Sequence, residues 1–142
     1  MKRSPEVLVI DGQGGGLGRQ LVQTLKKTMP DLPVYAAATN GTAAEAMRKA
    51  GADRAAAGEN AVLVACRKAD IIIGPIGIVI ADSMFGEITP AMALAVAQAD
   101  AKRILIPMNH CDNIVAGVPN SSAGALIGSA VEKLAAILQE EE

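Results

Sequence analysis

Residues 6–18, Glu-Val-Leu-Val-Ile-Asp-Gly-Gln-Gly-Gly-Gly-Leu-Gly, limit the fold of this chain more than any other stretch. Glu6-Val7-Leu8-Val9-Ile10 is a continuous β-branched and leucine run, as expected of a strand covered on both faces. Leu17, Leu21, Val22, Leu25 and Met29 then recur at helical spacing. Between the two lies Asp11-Gly12-Gln13-Gly14-Gly15-Gly16-Leu17-Gly18. Glycine allows positive φ and lets a ligand approach the backbone closely, and the helix that follows offers unpaired N–H groups and a positive dipole end. The order strand, glycine turn, helix predicts a phosphate-holding βα turn. It names a kind of site and no reaction.

The rest of the chain repeats this alternation. Lys26 and Lys27 suit the last turn of the first helix, and Pro30 ends it. Val34 to Ala38 reads as strand two. Thr42-Ala43-Ala44-Glu45 has the spacing of a capping box for helix two, with Gly51 placed as its C-terminal glycine. Arg54 to Ala57 reads as a short third strand, and Gly58 and Asn60 as start signals for a helix from Ala61 to Lys68 with Val62, Cys66 and Ala69 on one face. Ala69 to Gly74 is strand four, ending in Gly74-Pro75-Ile76-Gly77. Periodicity alone does not separate helix from strand over Ile78 to Ala81; a short helix is favoured, with Gly86 as its C-cap if it runs to Phe85. Thr89 as N-cap and Pro90 at the first helical position open an alanine-rich helix. Lys102 to Pro107 reads as strand five, Asn109 to Asn113 as a polar loop and Ile114 to Val118 as a further edge strand. Ser121 or Ser122 caps a last helix that buries Leu126, Ile127, Ala130, Val131, Leu134 and Leu138, while Glu140 to Glu142 oppose its dipole and should fray.

Strands alternating with helices at short spacing predict an α/β fold, a Rossmann-like doubly wound parallel sheet with helices on both faces. At 142 residues the chain fits a single domain. In such sheets the ligand crevice lies beyond the carboxyl ends of the strands at the topological switch point. Residues 11–18, Thr39-Asn40-Gly41 and Gly74 to Gly77 should therefore converge.

Composition removes several function classes. A net charge of −2 without a clustered basic face argues against nucleic-acid binding. The longest apolar run, Ile71 to Ala81, is too short for a bilayer and is broken by Gly74, Pro75 and Gly77, and no signal peptide opens the chain. Cys66 and Cys111 make no disulfide framework, so the cytoplasm is the expected compartment. Neither they nor the single histidine, His110, have metal-site spacing. A hydrophobic fraction of 51% in so small a chain predicts a homo-oligomer.

Gly12, Gly16 and Gly18 fit G-x-x-x-G-x-G, which resembles the nucleotide loop of short-chain dehydrogenases/reductases, and Arg19 follows as it often does there. Asp70 to Gly77 also resembles that family's strand-four segment, keeping Gly77 of its Asn-Asn-Ala-Gly. The resemblance implies NAD(P) or another nucleotide as ligand. The family's catalytic Tyr-x-x-x-Lys is absent: the one tyrosine, Tyr35, lies in strand two. Strand two ends in Ala38-Thr39-Asn40, without the acidic residue that would meet an NAD ribose, and Asp11 sets a negative charge beside the phosphate site. Over nearly its whole length the chain is similar to a family of short bacterial Rossmann-like proteins known as a domain of unknown function. Residues 10–16, 51–54, 58–61, 74–77 and 86–90 carry that resemblance. It implies the fold and the pocket and adds no chemistry.

The candidate ligand-binding residues are thus Asp11, Gly12, Gln13, Gly14, Gly15, Gly16, Leu17, Gly18, Thr39, Asn40, Gly74, Pro75, Ile76 and Gly77. Asp11 is read as meeting a cation or sugar in preference to loop N–H groups, whereas capping of helix two is the simpler role for Thr39 and Asn40. Helix capping and solvent exposure are expected of Glu59, Asn60 and Glu87. Adjacent side chains point apart, so His110 and Cys111 are not expected to form a nucleophilic pair, and Cys66 reads as a core residue. The run Ile78 to Ala81 reads as core, with a dimer interface second. Three functions follow: a nucleotide-binding sensor or accessory module, an enzyme acting on a small phosphorylated or carboxylated metabolite through Asp11 and the loops after strands four and five, or a structural, partner-binding domain with a vestigial pocket.

Overall fold

Val7, Leu8, Val9 and Ile10 are all buried because β1 (Val7–Asp11) is the middle strand of a five-stranded parallel sheet in the order β3-β2-β1-β4-β5. The computed structural model describes residues 4–108, 113–119 and 121–140. The other strands are β2 (Val34–Ala38), β3 (Arg54–Ala57), β4 (Ile71–Pro75) and β5 (Lys102–Ile106). The helices between and after them are α1 (Gly16–Thr28), α2 (Gly41–Lys49), α3 (Glu59–Lys68), α4 (Pro90–Gln98) and α5 (Ala123–Glu140). This is the expected Rossmann-like α/β fold, and its strand order reverses between β1 and β4.

Alternate residues of β1 point to opposite faces and so found two cores. Val7 and Val9 pack with Leu21, Val22 and Leu25 of α1 and with α2 and α5. Leu8 and Ile10 pack with Val62 and Cys66 of α3 and with Met92 and Val96 of α4. The register Val7↔Ile71, Leu8↔Ile72 and Val9↔Ile73 sets β4 close against β1. One step further on, a Cβ at Gly74 would overlap the carbonyl oxygen of Ile10. Glycine is required there because two backbones meet.

Three sequence expectations fail, each for a visible reason. Ile78 to Phe85 is not a helix: a 3₁₀ turn over Ile76–Val79 is followed by Asp82, Met84 and Phe85 at φ 67°, 57° and 56°, which a right-handed helix cannot contain. Ile114 to Val118 forms no strand; Ile114 is 92% exposed and Gly117 turns at φ 81°, so the segment has no face to bury. Thr42 does not cap α2. Asn40, extended at φ −145°, accepts from the Ala43 N–H at 2.9 Å, and the helix begins at Gly41. Ser122 fills the expected role before α5, its Oγ accepting from the Ala125 N–H at 3.2 Å.

Among the described residues no helix is long and apolar enough to cross a membrane. Replacing Gly74 by Ala is expected to destabilise the protein by about 2–4 kcal/mol, because overpacking here pushes on the backbone of the central strand. Urea denaturation measures this, and a midpoint equal to that of the wild type would contradict the close β1–β4 approach.

Candidate functional site

The glycine turn closes on the carboxylate at its start. Asp11 is 3% exposed, and its Oδ1 accepts from the Gly12 N–H at 2.8 Å while its Oδ2 accepts from the Gly18 N–H at 2.7 Å. The last residue of β1 is thereby tied to the first turn of α1. The Gly15 N–H donates to the Gly12 carbonyl at 2.9 Å, and Gly15 sits at φ 74° with no room for a Cβ beside Ala43. A Cβ on Gly18 would lie 2.9 Å from Asp11 Cβ, and one on Gly12 would lie 2.6 Å from Thr39 Oγ1 and 2.9 Å from Met84 Sδ. Gly12, Gly15 and Gly18 are therefore demanded by packing and backbone geometry. The spacing singled out in the sequence, Gly12, Gly16 and Gly18, shares two of these three.

Gly14 and Gly16 differ. Both are exposed, neither has positive φ, and a Cβ on either would meet open space. Nothing in the fold requires glycine at these two positions. Among the described residues, no acceptor stands on the N–H groups of Gly14, Gly16 or Leu17, whereas those of Gly12, Gln13, Gly15 and Gly18 are all taken.

The fourth of those donors is taken by a residue far along the chain. Glu87 Oε1 accepts from the Gln13 N–H at 2.8 Å, from Asn40 Nδ2 at 2.9 Å and from Thr39 Oγ1. Asn40 Nδ2 also donates to the Gln13 carbonyl at 2.9 Å while Asn40 Oδ1 caps α2. One carboxylate thus joins the loops after β1 and β2 to the loop after β4. Expected to be a cap or a solvated residue, Glu87 is instead in the middle of the site. Its sequence separation of 74 residues from Gln13 hides the contact, and the only sequence signal is its place in the stretch from Gly86 to Pro90.

Residues 80–88 are braced beside this cluster. The Asp82 N–H donates to the Ile88 carbonyl at 2.7 Å, the Gly86 N–H to the Asp82 carbonyl at 3.1 Å and Ser83 Oγ to the Gly77 carbonyl at 2.6 Å. Gly74, Pro75, Ile76 and Gly77 act beneath this loop. Gly74 and Pro75 complete β4, and Gly77 anchors buried Ser83. Of the sequence-derived set, Asp11, Gly12, Gln13, Gly15, Gly18, Thr39 and Asn40 are drawn together by hydrogen bonds, directly or through Glu87, and Gly14, Gly16 and Leu17 lie on the same turn without joining them.

Burial raises the pKa of Asp11, a change opposed by the Gly18 and Gly12 N–H groups and reinforced by the charge of Glu87. Burial also pushes Glu87 upward, but donation by Thr39, Gln13 and Asn40 outweighs it and holds this carboxyl below its ordinary value. Cys66 is buried in the core as expected, its thiol pushed up to about 11 by desolvation. Glu59 Oε2 accepts from Thr89 Oγ1 at 2.6 Å, outside the cluster. A 510 Å³ hollow lies elsewhere, under α3, with Tyr35 and Ala56 in its lining. No group of three metal-ligating side chains occurs among the described residues, and Asn109, His110 and Cys111 lie outside them.

The two carboxylates respond to pH in opposite directions. Asp11, raised in the fold, favours the folded state most below the ordinary carboxylate range, and that contribution is lost as pH rises through its folded value. Glu87, lowered in the fold, contributes above that range and loses its contribution as pH falls through its folded value. Replacing Glu87 by Ala is expected to cost about 1–2 kcal/mol at neutral pH, with the difference from the wild type shrinking in acid. Thermal unfolding of both proteins from pH 7 to pH 3 checks this, and a difference that stays constant or grows in acid would refute it.

Among solved structures, a dodecameric FMN-dependent Ubix-like decarboxylase from Escherichia coli O157:H7 is similar over 91% of this chain and 76% of its own, at 19% identity and a TM-score of 0.45. No curated protein matches the chain. Residues 6–139, which include every strand, the glycine turn and the Glu87 loop, match the family model described as Domain of unknown function (DUF3842), and the chain belongs to that family.

Proposed function

We propose that this protein is a nucleotide- or dinucleotide-binding module with a sensor or accessory role, holding a ligand phosphate on the N–H groups of Gly14, Gly16 and Leu17. The observation that carries the reading is the pair Gly14 and Gly16, glycines for which packing has no use, beside three unpartnered donors at the carboxyl end of β1. A side chain at either position would keep an oxyanion from the backbone. Thr39 and Asn40 border the same place from the second strand. NAD(P) is one such ligand. Asp11 and Glu87 add negative charge, which favours a ligand whose sugar hydroxyl or accompanying cation meets them.

One observation favours a second reading, an enzyme acting on a small phosphorylated or carboxylated metabolite: the carboxylates of Asp11 and Glu87 meet at the glycine turn, accepting from the adjacent Gly12 and Gln13 N–H groups. A cytoplasmic homo-oligomer is part of the proposal. It is supported by α4, which has no charged residue and leaves Leu94 55% exposed. A partner-binding domain with a vestigial pocket is the reading left if no small ligand binds.

Native mass spectrometry of freshly purified protein reads retained ligand and subunit count together. Thermal shift with NAD(H), NADP(H), ATP and AMP then identifies the class, a ligand at a hundredfold excess over Kd stabilising by about 2.7 kcal/mol. A Gly16→Asp variant should unfold like the wild type without ligand, since its side chain enters open space and an acidic group suits a helix N-terminus. It should lose the ligand-induced shift. No shift with any of the four in the wild type, and identical behaviour of the variant, would sink the proposal.

A further inference from the structure

Phe85 is 99% exposed, and the chain has no other phenylalanine. It also sits at φ 56°, a conformation that bulky side chains rarely adopt. The fold gains nothing from this arrangement, because the ring buries no surface and the backbone is strained. A flexible loop would relax such strain, yet this one is locked on both sides. The Glu87 N–H donates to the Met84 carbonyl at 3.1 Å, and the Ile88 N–H to the Ser83 carbonyl at 3.2 Å. Those brackets also fix Phe85 relative to the candidate site. Its neighbour Met84 is buried against Gly12, and Glu87, two residues on, holds the Gln13 N–H and Asn40.

We infer that Phe85 is the stacking face for a planar ring of the ligand whose phosphate lies on the glycine turn, so that the ligand class is a nucleotide or another phosphorylated ring compound. The inference rests on the phosphate reading above and adds the ring to it. Among the described residues the aromatic inventory leaves no other candidate. There is no tryptophan, and the single tyrosine, Tyr35, is the second residue of β2, toward the amino end of the sheet, and lines the hollow under α3. Among the described residues, a base meeting the carboxyl end of β1 therefore has Phe85 as its aromatic partner, with both faces of the ring open. Stacking tolerates any base, since every base presents a π-face. Phe85 thus selects for a ring and not for a particular one.

Titrating ATP, NAD and inorganic pyrophosphate by calorimetry separates the two layers of this reading. Phe85→Gly removes the ring at a φ where glycine is at ease, so the variant is expected to fold at least as well as the wild type. It should weaken the nucleotides by about tenfold or more and leave pyrophosphate unchanged. Phe85→Trp should keep nucleotide affinity, and its new indole, the chain's only one, should be quenched by nucleotide and not by pyrophosphate. Equal nucleotide affinity in the wild type and Phe85→Gly overturns the stacking role while the phosphate reading stands. So does a Phe85→Gly variant that dissociates into smaller species with undiminished nucleotide affinity, which makes Phe85 a contact between copies. Failure of the wild type to bind any of the three overturns both readings.

Discussion

Asp11 holds the end of the central strand to the beginning of α1 through two backbone N–H groups, those of Gly12 and Gly18. Both bonds act in a buried place, where desolvation of the carboxylate opposes them and raises its pKa. The geometry works only because residue 18 has no side chain, since α1 would otherwise ride off the Asp11 carboxyl. Once α1 is seated, Leu21, Val22 and Leu25 face Val7 and Val9, and the larger core follows. The glycine turn is thus first a structural device. Its spare donors, on Gly14, Gly16 and Leu17, are those on which the proposed ligand phosphate is placed.

The second constraint is the carboxylate of Glu87, which gathers three loops into one surface. It does for the loop edges what β-ladder bonds do for the strands beneath, but with a titratable group. Residues 80–88 consequently lie across the carboxyl end of β1 as a braced cover, with Met84 inward and Phe85 outward. Asp11 and Glu87 together make the site anionic at its base and donor-rich at its mouth.

Much of this was legible in the residues. The apolar run from Glu6 to Ile10, the helical stripe from Leu17 to Met29 and the Thr89-Pro90 start each express a local rule, and each element forms where that rule puts it. The convergence of residues 11–18 with Thr39 and Asn40 followed from parallel topology alone. What sequence could not supply was the role of each glycine: G-x-x-x-G-x-G singles out Gly12, Gly16 and Gly18, while contact with Ala43 and a φ of 74° make Gly15 the third glycine that packing demands. Glu87 reads from sequence more simply as a cap or solvated residue than as one facing the crevice, because its partners are set by tertiary folding and no periodicity reports them. The segment from Ile78 to Phe85 misled for a related reason: an apolar run reads as helix by pattern, and here the chain turns three times through positive φ to cover the site.

The central claim is that the donors left open by the glycine turn are those that receive a ligand anion. Titration of ¹⁵N-labelled protein with inorganic pyrophosphate, followed by amide chemical shifts, tests it most directly. The Gly14, Gly16 and Leu17 amides should move first and furthest, and the Gly12 and Gly18 amides, already held by Asp11, should move much less. Shifts confined to the hollow under α3, or no saturable shifts at all, would contradict the account.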